Sequence, residues 1–163
     1  MKRSIIVADA GPLIALAKLE QLELLHEIFS EVHVPETVYL EVTHHQARDD
    51  AQLLTSFIKA SAELHPVLEN SFVEELSQSL DDGEVQALAL AQSLECGVLM
   101  DEARGRKIAD YYEISVVGML GVLLQAKQLG LIESVKPLIY QLQKANYRLS
   151  TGLVSKVLSL AKE

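Results

Sequence analysis

The chain has 163 residues, 49% apolar and 23% charged, so it can bury one core without a disulfide or metal staple and is too apolar to be disordered. With 14 basic against 23 acidic side chains the net charge is −9, which excludes a strong nonspecific DNA binder resting on cations spread over its surface. A single cysteine, Cys96, excludes an internal disulfide framework and a thiolate-rich zinc site, and 5% aromatics without tryptophan exclude an aromatic stacking platform for bases.

Residues 4–8, a β-branched run closed by Asp9-Ala10-Gly11-Pro12, predict a first strand. A helix follows from Pro12; its leucines continue through Leu16, Leu19, Leu22 and Leu25 and allow a break near Leu19. Residues 31–34 predict a second strand, and Pro35 opens a helix to about His45 from the favoured first-turn position. Next come a helix over 47–60, an extended piece near 64–68 and a helix over 71–80. Asp81-Asp82-Gly83 predicts a turn, and 84–95 a strongly apolar helix. Residues 97–100 predict a strand, 102–112 a helix, 114–117 a strand, and 119–129 a helix stopped by Gly130. Helices over 134–145 and 151–162 follow. No apolar run spans a bilayer, and the N-terminal one, cut short at Asp9, is too brief for a secretory signal, so a cytoplasmic protein without a membrane partner is expected. Alternating strands and helices predict a parallel sheet covered by helices, with the ligand site outside the carboxyl ends of the strands.

Four acids stand out under that rule. Asp9 follows the first strand and Asp101 follows the strand over 97–100. Glu84 opens the helix that feeds the latter strand, and Glu41 lies on the helix after the second strand, about 60° around from Val38 at the edge of an apolar stripe. Carboxylates gathered together repel and resist desolvation, and a hard divalent cation relieves both penalties. Oxygen donors, with no cysteine cluster and no histidine pair at ligand spacing, point to Mg²⁺ or Mn²⁺ rather than zinc. Such ions serve phosphodiester cleavage. Each acid also has a purely structural reading: Asp9 and Asp101 as helix caps, Asp81-x-x-Glu84 as a capping box, and Glu41 as a solvated helix residue. Spacing alone leaves both readings open.

The segments Ile6-Val7-Ala8-Asp9-Ala10-Gly11-Pro12, Val34-Pro35-x-x-Val38-x-x-Glu41-Val42, Asp82-Gly83-Glu84-Val85-Gln86-Ala87 and Val98-Leu99-Met100-Asp101-Glu102 come in an order that resembles the PIN-domain nucleases. The stretch from Gly118-Met119-Leu120-Gly121 to Gly130-Leu131-Ile132 looks like a toxin-like branch of them, and the likeness covers nearly the whole chain. The resemblance implies a single three-layer α/β/α domain with a mainly parallel sheet, its last two helices (about 134–163) forming a C-terminal extension. It implies a Mg²⁺- or Mn²⁺-dependent ribonuclease similar to the VapC toxins, with Asp9, Glu41, Glu84 and Asp101 as the acidic ring and Asp9 and Asp101 as the best metal ligands. It further implies a homodimer held inactive by a small antitoxin protein.

The chain departs from the family pattern in three places. Glu84 stands where an aspartate is usual, and Gly11 and Leu99 stand where hydroxyl residues are frequent. Asp82, Asp110 and Glu102 are the substitutes if one acid is misassigned. Arg104, Arg106 and Lys107 are candidates for substrate phosphate, Arg104 first, although a solvated helix surface is the simpler account of each taken singly. Glu41-x-x-His44 has di-iron spacing but lacks a second pair, Cys96 reads as an inert core thiol, and His44 and His45 read as surface residues. The rival reading is a PIN-like binding or assembly module with weak or lost catalysis.

Overall fold

Short strands with branched side chains on both faces need helices on both faces. A computed structural model describes residues 4–44 and 47–163 and shows that arrangement. In chain order the elements are β1 (Ile5–Ala8), α1 (Ala10–Lys18), α2 (Glu23–Ile28), β2 (Glu31–Pro35), α3 (Glu36–His44), α4 (Arg48–Ser61), β3 (Glu63–His65), α5 (Ser71–Leu76) and α6 (Asp82–Leu94). They continue with β4 (Gly97–Leu99), α7 (Ala103–Tyr111), β5 (Val116–Val117), α8 (Met119–Gln128), α9 (Lys136–Lys144) and α10 (Thr151–Leu160). The sheet runs in the order β3-β2-β1-β4-β5, and every pairing is parallel.

Alternate strand residues serve two cores. Ile6, Ala8, Val32, Val34 and Leu99 pack with Leu16, Leu25, Ile58, Leu120 and Leu123 on one face. Val7, Val98 and Met100 pack with Val85, Leu88 and Ala109 on the other. The expected extension over 134–163 supplies Ile139, Leu142 and Val157 to the first core. Its end is tied down by Glu163, whose carboxylate accepts from Val135 N at 2.7 Å and Lys136 N at 3.0 Å, satisfying donors at the start of α9.

Several expected boundaries move for local reasons. Pro35 ends β2 instead of opening the helix; as the last strand residue it lies opposite His65 of the edge strand β3. Asp82 and Gly83 are not a turn but the first residues of α6, because Asp81 takes the cap position and holds Glu84 N at 2.9 Å. The helix expected over 71–80 stops at Leu76, where the Ser77 hydroxyl donates back to Val73 O. The extended piece near 64–68 is β3, ending at His65. The break near Leu19 separates α1 from α2. The expected helix end at His45 lies outside the described residues. No helix among the described residues is long and apolar enough to cross a membrane.

Candidate active site

The carboxyl ends of β1 and β4 meet where Asp9 N donates to Leu99 O at 3.0 Å. That bond seats Asp9 at the rim of the sheet, 6% exposed. Although Asp9 occupies the cap position of α1, its side chain makes no capping hydrogen bond there. Burial pushes its carboxyl up to about 7; the Ala10 N–H opposes the rise, while Glu84, Asp81 and Glu41 add to it through like charge. Three acids from two segments, Glu41 on α3 and the Asp81–Glu84 pair at the start of α6, thus act electrostatically on one buried carboxylate.

Glu84 performs the structural task its spacing predicts and also joins this field. Its Oε1 accepts from Asp81 N at 3.2 Å, closing a capping box at the start of α6. Burial raises its pKa, the Asp81 N–H bond lowers it, and Asp81, Glu102 and Glu41 raise it again. Glu41, half-buried on α3, brings Oε1 to 3.0 Å from where a Cβ on Gly83 would stand. Gly83 therefore lets the acid of α3 approach the start of α6.

Asp101 forms the other side of the site. It does not cap α7; Glu102 does, accepting from Gly105 N at 2.7 Å. Asp101 Oδ1 instead accepts from Met119 N at 2.8 Å, at the start of α8. Its Oδ2 accepts from the hydroxyl of Tyr147, a residue between α9 and α10 that the sequence argument missed. Burial, then the Asp101 charge and hydrogen bond, then Asp9 hold the Tyr147 hydroxyl protonated well above its ordinary range. Tyr147 thus senses both aspartates. A Cβ on Gly11 would lie 3.7 Å from the Tyr147 hydroxyl, so the position where a hydroxyl side chain is frequent faces a hydroxyl supplied by tyrosine.

Among the basic candidates, Arg106 comes nearest the acids, with Nη1 4.0 Å from Asp101 Oδ1. Arg104, favoured from sequence, instead donates to Ser79 O at 3.2 Å, and Lys107 is exposed on α7. Of the substitute acids, Glu102 caps α7, Asp82 is exposed in the first turn of α6, and Asp110 is exposed on α7. A broad concavity lined by Ser4, Ile5, Cys96 and Ser115 opens at the amino ends of β1 and β4, away from Asp9 and Asp101. Cys96 is half-buried rather than a fully buried core thiol, and burial pushes its pKa up.

The donor chemistry fits a hard divalent cation: the acids offer oxygen, and the penalty on ionised Asp9 is one that a double positive charge removes. No three of the four acids place oxygens within 4.8 Å of one another, so an ion shared by more than two of them requires side-chain rotation.

Acids beyond the carboxyl ends of two adjacent parallel strands, within a three-layer α/β/α frame, make this a member of the α/β class with a candidate site at the sheet rim. A family model described as DUF3368: PIN domain matches residues 5–163, and the chain belongs to the PIN-domain family. PIN domains are generally nucleases and generally use divalent metal ions. Among solved structures the chain is similar to a PilT N-terminus domain protein, SSO1118, from the hyperthermophilic archaeon Sulfolobus solfataricus P2. The identity is 11% and the TM-score 0.54, over 75% of this chain and 92% of that one, a likeness of fold. No curated protein matches the sequence.

Proposed function

We propose that the protein is a Mg²⁺- or Mn²⁺-dependent ribonuclease that hydrolyses RNA phosphodiester bonds at the Asp9–Asp101 rim. The observation that carries this reading is buried Asp9, whose carboxyl is pushed up to about 7 by burial and by the charges of Glu84, Asp81 and Glu41. A carboxylate held so unfavourably invites a cation. Asp9 and Asp101 would hold the ion, with Glu84 and Glu41 as the surrounding acids. When bound, such an ion activates a water nucleophile and stabilises charge on the phosphoryl oxygens. The chain's own groups prepare the site. Met119 N and the Tyr147 hydroxyl fix the orientation of Asp101. Arg106 stands at the rim to meet a phosphate oxygen, with Lys107 and Arg104 on the same helix as further candidates.

In the cell this reading makes the chain the toxin of a toxin–antitoxin pair, a homodimer restrained by a small antitoxin protein. Exposed Tyr140, Leu153 and Leu160 on the last two helices offer apolar area to such contacts. The second reading, a binding module with weak catalysis, draws on one observation: both Asp101 oxygens already have hydrogen-bond donors. Incubation with a mixed RNA pool separates the two. The ribonuclease cleaves with Mn²⁺, stops with EDTA, and loses activity in Asp9→Asn and Asp101→Asn variants that stay folded. Wild-type protein that never cleaves with metal refutes it.

A further inference from the structure

A second cluster of donors lies on the β2–β3 side of the sheet, built from residues other than the acids of the rim. β2 and β3 each carry a Glu-x-His triplet, Glu31-x-His33 and Glu63-x-His65. Because strand residues two apart share a face, and because His33 pairs with Glu63 in register, all four side chains fall on one face of the β2–β3 ladder. His33 Nδ1 lies 2.7 Å from His65 Nε2 and 3.6 Å from Glu63 Oε2. One donor atom from each of His33, Glu63 and His65 falls within 4.8 Å of the others. His33 is buried and Glu63 exposed, so the cluster has a fixed inner ligand and a solvent-facing outer one.

We propose that His33, Glu63 and His65 form a mononuclear Zn²⁺ site, distinct from the carboxylate rim, with a fourth position open to water. The donor set is the argument. Two imidazoles and one carboxylate suit zinc and neighbouring transition ions, whereas Mg²⁺ favours oxygen. The outer support is also in place, since Glu31 Oε1 lies 2.9 Å from His33 Nε2. A carboxylate there takes the Nε2–H and leaves Nδ1, the atom facing His65 and Glu63, as the metal-binding nitrogen. Two zinc–nitrogen bonds of about 2.05 Å at a tetrahedral angle place the nitrogens about 3.3 Å apart, so the rings separate by about 0.6 Å when the ion enters. The site joins β3, the edge strand, to β2, so its chemical role is to clamp the edge of the sheet.

The test is zinc binding by full-length protein, stripped with chelator and titrated with ZnCl₂ or with CoCl₂ as the visible probe. One equivalent binds at micromolar metal, Co²⁺ shows four-coordinate absorption bands, and Zn²⁺ raises the melting temperature. His65→Gln weakens binding at least about a hundredfold. Glu63→Gln, at an exposed side chain, weakens it at least about tenfold and serves if His65→Gln fails to fold. Asp9→Asn and Asp101→Asn retain the equivalent, which separates this site from the rim whatever the outcome for RNA cleavage. Wild-type protein that takes up no zinc, ligand variants that bind as tightly as wild type, or loss of zinc on Asp9→Asn overturns the proposal.

Discussion

Replacing Asp9 by asparagine should stabilise the metal-free protein while removing its activity. The carboxyl rises from 3.8 to about 7 on folding, chiefly through burial. An acid whose folded pKa is raised binds more protons folded than unfolded between those two values, so stability falls as pH rises through that window and levels off above it. The shift of about 3 pH units corresponds to about 4 kcal/mol at the plateau, at about 1.4 kcal/mol per unit. Asparagine keeps the size and cannot ionise. In urea unfolding with chelator present, the stability difference between Asp9→Asn and wild type should be near zero at about pH 4 and widen to several kcal/mol by about pH 8. Taking the difference cancels the remaining titratable groups, except for Glu84, Asp81 and Glu41, which couple to the Asp9 charge. Saturating Mg²⁺, at about 100 times its Kd, should return about 2.7 kcal/mol to wild type and nothing to the variant. A difference that stays flat or shrinks as pH rises would refute the reasoning.

Other perturbations test neighbouring parts. Tyr147→Phe removes the donor on Asp101 Oδ2; it should lower stability by about 1.5–3 kcal/mol in urea unfolding and reduce several-fold the Mn²⁺ needed for half-maximal cleavage, since hydroxyl and ion compete for one oxygen. Gly118→Ala would place a Cβ 2.6 Å from Arg106 Nη1 and 2.9 Å from Asp101 Oδ1, so cleavage should drop about tenfold or more with the far-UV circular dichroism unchanged. Gly105→Ala drives a Cβ into Met100 in the second core and should cost about 1–3 kcal/mol in denaturant melts. Glu95 ends α6 at φ 53°, so Glu95→Gly should raise stability by about 0.5–1 kcal/mol in the same assay.

The architecture was legible because its signals are local and repeated. Short branched runs alternate with leucine-rich helices, and Asp9 follows β1 directly while Asp101 lies two residues past the end of β4, so parallel-sheet logic places both at the rim. Capping chemistry was readable too: Asp81 and Glu84 form the box that their spacing predicts. What escaped depends on segments far apart in sequence. Tyr147 reaches Asp101 from 46 residues away, with no motif around it to mark the contact. The His33–His65 pair is 32 residues apart, and a search for histidines at ligand spacing within one element passes over it. The repeated Glu-x-His triplet was the available signal, and it acquires meaning only once β2 and β3 are known to be neighbours in register. Among the basic residues, helix periodicity alone did not distinguish Arg104, which turns to Ser79 O, from Arg106, which turns to Asp101.

The most direct measurement is a crystal structure of protein soaked in Mn²⁺, with the ion located by its anomalous scattering. The account predicts a peak within bonding distance of Asp9 and Asp101 oxygens, with Glu41 and Glu84 around it. A map with no peak at that rim, or with manganese only beside His33 and His65, would contradict it.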